Sequence, residues 1–429
     1  MPDVNRREFL HTTTTAATAA ALGLTASGRA HSARPGADQE IRIGLVGCGG
    51  RGTGAAAQAI QSSEGVRLVA MGDVFADKVT QARDNLEKTD AAAAVQVDDR
   101  SCFAGLDAYR RVIEHADVNH VILATPPGFR PQQLEAVVAA GKHCFMEKPA
   151  CVDPVGYRAV IAAAKRAREQ GTAIGTGTQF RRANHYADVI AAIHDGAIGD
   201  VLFAQARYCS GGIWYRERQE GMADAEYQIH NWYHFVWLCG DQIVEQAVHN
   251  LDAINWAMGG PPARAYGSGG QRCRPADSEI YDCTSLDYEY PNGASLSFQC
   301  RQQPGKGQVW NRIVGVKGEA WIHPFSFGEI KSHGGEKVLK VRYRPNAYVD
   351  EHRDLIASIR AGTPIVEAEE MADSTLTAVL GRLAAYTGEE VEWDFVQRES
   401  KLDLMPPELR LDAALPAPAV AVPGQTALV

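Results

Sequence analysis

Apolar and polar positions change their spacing partway along the chain. Up to about residue 180, short apolar runs alternate with amphipathic stretches. Ile41–Val46, Val66–Met71, Val121–Ala124, His143–Met146 and Thr172–Thr176 read as buried strands. Thr53–Gln61, Ala76–Glu87, Pro131–Ala140 and Val155–Gln170 read as the helices between them. Strictly alternating strands and helices predict an α/β fold with a doubly wound parallel sheet over residues 40–180.

After about Asn184 the texture shifts. Val201–Tyr208, Tyr281–Tyr290, Ala294–Cys300 and Arg312–Val316 alternate or carry β-branched and aromatic residues. Tyr290-Pro291-Asn292-Gly293 between two of them is a hairpin signal. These features predict a second α/β domain with a largely antiparallel open sheet over 181–347. Tyr348–Arg360 and Met371–Thr387 return to helical spacing, predicting helices that pack back over 348–395. Residues 396–429, rich in Pro, Ala and Val, read as an extended tail.

Residues 1–33 read as an address rather than as part of the fold. Arg6-Arg7 precede Phe9-Leu10, a mildly apolar Thr/Ala stretch runs to Leu24, and small residues follow to Ala30 or Ala33. This order predicts a twin-arginine export signal and a periplasmic destination. That route carries proteins already folded in the reducing cytoplasm, which fits nine scattered cysteines with no CxxC pair.

Composition removes some function classes. A formal net charge of −9 argues against a nucleic-acid partner, which needs concentrated Lys and Arg. No apolar run approaches the ~20 residues of a membrane span, so an integral membrane protein is not expected.

The chemistry starts at Gly47-Cys48-Gly49-Gly50-Arg51-Gly52, which follows the first strand and opens the first helix. Gly47 permits the tight turn, Gly49 lets backbone approach a pyrophosphate, and Gly52 lets helix and strand pack closely. The helix N-terminus offers free N–H groups to phosphate. Asp73 closes the second strand 21 residues after Gly52 (73 − 52). A carboxylate there accepts ribose hydroxyls and repels a 2′-phosphate, so NAD is expected rather than NADP.

Glu245, His249 and Asp252 are spaced i, i+4, i+7 among Ile243, Val244, Val248, Leu251 and Ile254. If helical, they share one polar face lining a cleft, with His beside a carboxylate for proton transfer. His230-Asn231-Trp232-Tyr233-His234 holds two histidines at i, i+4. A metal with Glu245 or His249 is one reading; hydroxyl binding and stacking of a sugar by His230, Asn231, Trp232 and His234 is the favoured one, with no metal. Arg181, Arg182 and Tyr215 are further pocket candidates.

With Met146-Glu147-Lys148-Pro149 following this unit, the chain resembles the glucose-fructose oxidoreductase/inositol dehydrogenase (Gfo/Idh/MocA) family. The resemblance also rests on VGCGGRGTG from Val46, ATPPGFRP from Ala124, GTGTQFRR from Gly175, EQAVHNLDAINW from Glu245 and SIRAGTP from Ser358. It implies NAD as cofactor, held by Gly47, Gly49, Gly50, Arg51, Gly52, Asp73, Thr125, Pro126, Glu147, Lys148 and Gln179. It implies a carbohydrate or polyol substrate and a homo-oligomer, dimer or tetramer. By position, Lys148 would hydrogen-bond the reacting hydroxyl and His249 would be the acid–base group, with Arg181 and Asp252 near the substrate. The family's usual Asp partner of the His is Glu245 here, and Arg130 stands where many members have His.

Three functions fit these residues. One is a redox-neutral enzyme with resident NAD, performing glycoside cleavage, epimerisation or sugar–sugar oxidoreduction. The second is an ordinary NAD-dependent sugar or polyol dehydrogenase. The third is a non-catalytic sugar-binding protein, against which the presence of Lys148 and His249 argues. The export signal favours the first, because the periplasm has no recognised supply of free NAD(H).

Overall fold

Ile41, Ile43, Leu45 and Val46 are almost completely buried, which makes the strand Ile41–Val46 (β1) the centre of the first layer. The computed structural model describes residues 39–429; the expected export signal, residues 1–33, lies outside them. β1 is joined by Val66–Asp73 (β2), Cys102–Ala104 (β3), His120–Leu123 (β4), His143–Met146 (β5) and Ile174–Thr176 (β6). All pairs are parallel, in the order β3-β2-β1-β4-β5-β6. The order reverses between β1 and β4, the switch point where such sheets bind ligands at their carboxyl ends.

The second layer is a sheet of nine strands: Val201–Ser210 (β7), Arg264–Gly270 (β8), Cys283–Glu289 (β9), Ser295–Gln302 (β10), Gln308–Gly315 (β11), Gly318–His323 (β12), Phe327–Ser332 (β13), Lys337–Arg342 (β14) and Val391–Glu392 (β15). Every neighbour pair is antiparallel except β7 with β10. One face is covered by the helices Asn184–His194, Val248–Met258 and Ala368–Thr387. The expected α/β architecture is therefore present, and Gly293 takes φ +82° in the expected β9–β10 turn.

Chain order and spatial layer part company near the C-terminus. Leu355, Ile356 and Ile359 of the helix Ala347–Arg360 enter the core of the first sheet with Phe145 and Leu68. The helix Ala368–Thr387 bridges the layers; its Arg382 is buried and donates to the carbonyls of Val152 (2.8 Å) and Gly240 (3.0 Å). Residues 401–429 form neither helix nor strand, yet they are fastened along their length. Leu404 N–H donates to Asp153 (2.9 Å), Leu415 N–H to Asp224 (3.0 Å), and Ala421 accepts from Tyr281 (2.8 Å). The tail is thus a strap, with burial of apolar side chains and satisfied backbone groups holding it down.

All nine cysteines are free. Among the described residues no helix is long and apolar enough to cross a membrane.

Candidate functional site

The turn after β1 explains its glycines. Gly47 has φ +96°, and a Cβ there would come within 2.6 Å of the Ala124 and Thr125 backbone. A Cβ on Gly52 would lie 1.9 Å from the Gly47 carbonyl, so helix and strand pack as closely as only glycine allows. Gly49 and Gly50 have open space where a Cβ would be. They start the helix Gly50–Ser62, whose N-terminus has no side-chain cap and no acidic residue in its first turn. This uncapped end faces a cleft of about 790 Å³, within the roughly 300–1,000 Å³ of small-molecule sites. Free N–H groups over open space fit a pyrophosphate.

Asp73 lines the same cleft. Its Oδ2 accepts from Cys48 N–H (2.7 Å) and its Oδ1 from Phe75 N–H (3.0 Å). Each carboxylate oxygen keeps a further lone pair, so ribose hydroxyls can still be accepted. Burial raises the Asp73 carboxyl above its usual range. Thr125 and Pro126 line the cleft from the switch-point side, and Thr125 Oγ1 donates to Gln133 (2.6 Å). Arg130, buried where many family members have His, donates to the carbonyls of Pro149 and Thr125 (2.5 Å to the latter) and is lowered by burial to about 10. It stitches the Lys148-Pro149 turn, a cis peptide, to the cleft.

Other expected cofactor residues sit differently. Arg51 lines the cleft but pairs with buried Glu147 at 2.7 Å and lies over Tyr348. Glu147, Lys148 and Gln179 do not line the cleft; Gln179 donates to Tyr348 Oη (3.2 Å). Glu147 and Gln179 meet the glycine loop only through Arg51, by its ion pair and by the Tyr348 ring it covers. A second buried acid, Glu351, lies near Glu147: its oxygens have no hydrogen-bond partner, and burial together with Glu147 raises it well above the usual range.

Lys148, Glu245 and His249 converge. Lys148 Nζ lies 2.8 Å from Glu245 Oε1 and also donates to the Glu245 backbone carbonyl. The expected continuous helix through Glu245, His249 and Asp252 is broken: Gln242–Glu245 forms one turn, and a new helix starts at Val248. The break opens the Glu245 carbonyl to Lys148. His249 is partly buried, with its ring edge-on to Phe180 at 5.2 Å. Burial and the Lys148 ammonium hold it well below the usual imidazole range, hence neutral and able to accept a proton. Asp252 instead forms a bidentate pair with Arg181 (2.7–3.1 Å) and accepts from Ser374 (2.8 Å). Glu245 thus lies outside the helix that carries His249 and Asp252, and the Asp252 carboxylate is taken up by Arg181 and Ser374.

The His230–His234 segment also divides. His234 has both ring nitrogens on protein, Ser278 Oγ (3.0 Å) and the Trp214 carbonyl (2.9 Å), which leaves neither for substrate. Asn231 is buried and uses its amide on the backbone of Arg216. Tyr215 is exposed and donates to Asp277 (3.1 Å). His230 and Trp232 alone of the segment line the cleft. Among the described residues no group of three or more His, Cys, Asp or Glu is placed to hold a metal ion. Phe75, Lys78, Trp214 and Arg216 line the cleft without having been expected; the Trp214-Tyr215-Arg216 cluster between β7 and the next helix was their one visible signal.

The switch-point cleft and glycine turn define a two-domain dinucleotide-binding protein. Family models agree: residues 41–175 match "Oxidoreductase family, NAD-binding Rossmann fold" and residues 186–321 match "GFO/IDH/MocA C-terminal domain". The chain belongs to the Gfo/Idh/MocA family. It is 26% identical over 330 residues to inositol 2-dehydrogenase of Gluconacetobacter diazotrophicus, covering 76% of this chain and 87% of that one. It is 28% identical over 215 residues to inositol 2-dehydrogenase 4 of Saccharopolyspora erythraea (50% of this chain, 58% of that one) and 29% identical over 161 residues to a glycosyl hydrolase family 109 protein of Shewanella amazonensis (35% and 34%). The chain therefore spans about half and a third of those last two relatives. In fold it resembles scyllo-inositol dehydrogenase of Lactobacillus casei with bound NAD(H) and scyllo-inositol (TM-score 0.63, 19% identity, 82% of this chain and 99% of that one). It also resembles aldose-aldose oxidoreductase of Caulobacter crescentus complexed with glycerol (TM-score 0.65, 19% identity, 82% and 100%).

Proposed function

We propose that this chain is an exported, NAD-dependent carbohydrate enzyme whose net reaction is redox-neutral, with NAD resident in the cleft. The carrying observation is the cluster of Lys148, Glu245 and neutral His249, which puts an ammonium, a carboxylate and an imidazole base together. NAD supplies hydride acceptance from the carbon of a ring hydroxyl and its later return. His249 takes the proton of that hydroxyl. Lys148 donates to the oxygen as it becomes a carbonyl, exchanging one of its contacts to Glu245 for the substrate. The carbonyl acidifies the neighbouring C–H, and Glu245 takes that proton. The glycosidic oxygen on the next carbon then leaves as an alcohol, taking the proton held on Glu245, and an enone remains; water adds across it, and the carbonyl regains its hydride together with the proton held on His249. The similarity to a glycosyl hydrolase family 109 protein supports the cleavage version.

Periplasmic export by the Arg6-Arg7 signal belongs to the same reading, since a folded protein can carry its cofactor. So does a homo-oligomer: the uncovered face of the nine-stranded sheet presents Trp310 and Trp321 with ring centroids 5.2 Å apart, and Arg207 and Arg312 over those rings. A second reading, an ordinary dehydrogenase exchanging NAD with solution, is favoured by the similarity to inositol 2-dehydrogenase over most of that protein's length. Incubating dialysed protein with a panel of glycosides and polyols, without added NAD, separates the two. Product formation over many turnovers supports the first reading; strict dependence on added NAD supports the second.

A further inference from the structure

The cleft has a wall that the first domain does not supply. Beyond Asp73, where a dinucleotide places its adenosine, Phe75 and Lys78 stand on one side. Trp214, Arg216 and His230 of the second domain stand on the other. The two sides touch: the His230 ring is stacked on Phe75 with centroids 3.9 Å apart and planes at 15°.

This wall is built rather than loose. Arg216 exchanges two backbone hydrogen bonds with the buried Asn231 amide, each 2.9 Å. Its guanidinium lies 5.0 Å over the Trp214 ring and donates to the His230 carbonyl (3.1 Å). The Trp214 carbonyl is tied to His234 (2.9 Å). The strap fastens the wall from outside. It is anchored on the first domain at Asp153 and on the helix carrying His230 through Asp224 and Gln228. Between those anchors Leu409 and Leu411 pack in the cluster that contains Phe75 and Trp232.

We propose that Trp214, Arg216 and His230 form a clamp over the adenosine half of the dinucleotide, held shut by the C-terminal strap, and that this clamp retains NAD between turnovers. The chemistry is complementary: flat aromatic rings for adenine, and a guanidinium for the phosphates that stacks as well as pairs. Release of the adenosine end requires parting of the His230–Phe75 stack, so the clamp acts on the dissociation rate. The proposal rests on the reading that NAD occupies this cleft.

The test is the dissociation rate of NADH, followed by its fluorescence as excess NAD displaces it, in wild type, Arg216→Ala and His230→Ala. Arg216 is exposed and His230 is partly buried, and an unchanged Tm establishes that the fold is kept. The clamp predicts at least ~10-fold faster release in each variant, about 1.4 kcal/mol. Rates within about two-fold of wild type in both variants overturn it. A wild type that releases NADH faster than a typical turnover of ~10 s⁻¹ defeats the resident-cofactor reading, while the ratio of variant to wild type still decides the clamp. A wild type that binds no NADH overturns both.

Discussion

Lys148 Nζ grips Glu245 twice, through the carboxylate at 2.8 Å and through the backbone carbonyl. The second contact exists only because the helix breaks after Glu245, so a local backbone feature positions the ammonium beside His249. A longer carboxylate at this position is held by Lys148 instead of by the imidazole it would orient in a His–Asp pair.

This arrangement separates two variants. Lys148→Met should lower turnover ~10²–10⁴-fold, the usual worth of a positioned proton-transfer or hydrogen-bonding group. It should also raise the apparent pKa of His249 in the pH–rate profile, since the ammonium is one of the two causes of its depression. Glu245→Gln should leave a single round of hydride transfer intact while abolishing exchange of the carbon-bound proton. Loss of both steps in Glu245→Gln would reduce Glu245 to a positioning residue.

Cofactor choice follows from Asp73. Asp73→Ala removes the repulsion of a 2′-phosphate and the anchor of the Cys48 and Phe75 N–H groups. The ratio of NADP to NAD affinity, measured by titration, should rise at least ~10-fold. An unchanged ratio would mean that discrimination lies elsewhere.

Glu351 makes the stability of the protein depend on pH. Its carboxyl is buried without a partner, and that burial, joined by Glu147, raises it well above the usual range despite Arg51 and Arg182 nearby. A folded value raised above the unfolded ~4.3 means that the native state holds a proton which the unfolded chain releases. Stability is therefore complete below that value and is lost as pH rises toward the folded one. Glu351→Gln keeps the shape and removes the titration. Thermal unfolding should show it matching wild type near pH 4.5 and exceeding it by roughly 1–3 kcal/mol at pH 8. A constant difference across that range would place the loss in packing.

The first domain was legible because its strands are buried on both faces and read as near-continuous apolar runs, and because Gly47, Gly52 and Asp73 hold positions that steric and charge arguments fix. The later strands were partly legible. Val201–Ser210 and Ser295–Gln302 alternate visibly, whereas Lys337–Arg342 is an exposed edge strand with Lys and Arg at both ends. The break after Glu245 could not be read, since Ile243 to Trp256 keeps helical spacing throughout, and the contact that uses it comes from Lys148 in a distant part of the chain. His234 and Asn231 looked like sugar ligands because their partners, Trp214 and Arg216, lie on a segment whose course only the tertiary structure defines. The tail read as merely extended, because backbone anchors such as Asp153 and Asp224 leave no trace in its own composition.

The redox-neutral account is tested most directly by running the reaction in deuterated water on the dialysed protein, with a glycoside substrate and no added oxidant. Deuterium in the recovered sugar and absorbance at the NADH band are followed together. The account predicts many turnovers per bound NAD, no accumulation of NADH, and deuterium at the carbon beside the transiently oxidised one. One NADH per product, with no deuterium bound to carbon, would contradict it and assign the chain to the ordinary dehydrogenases.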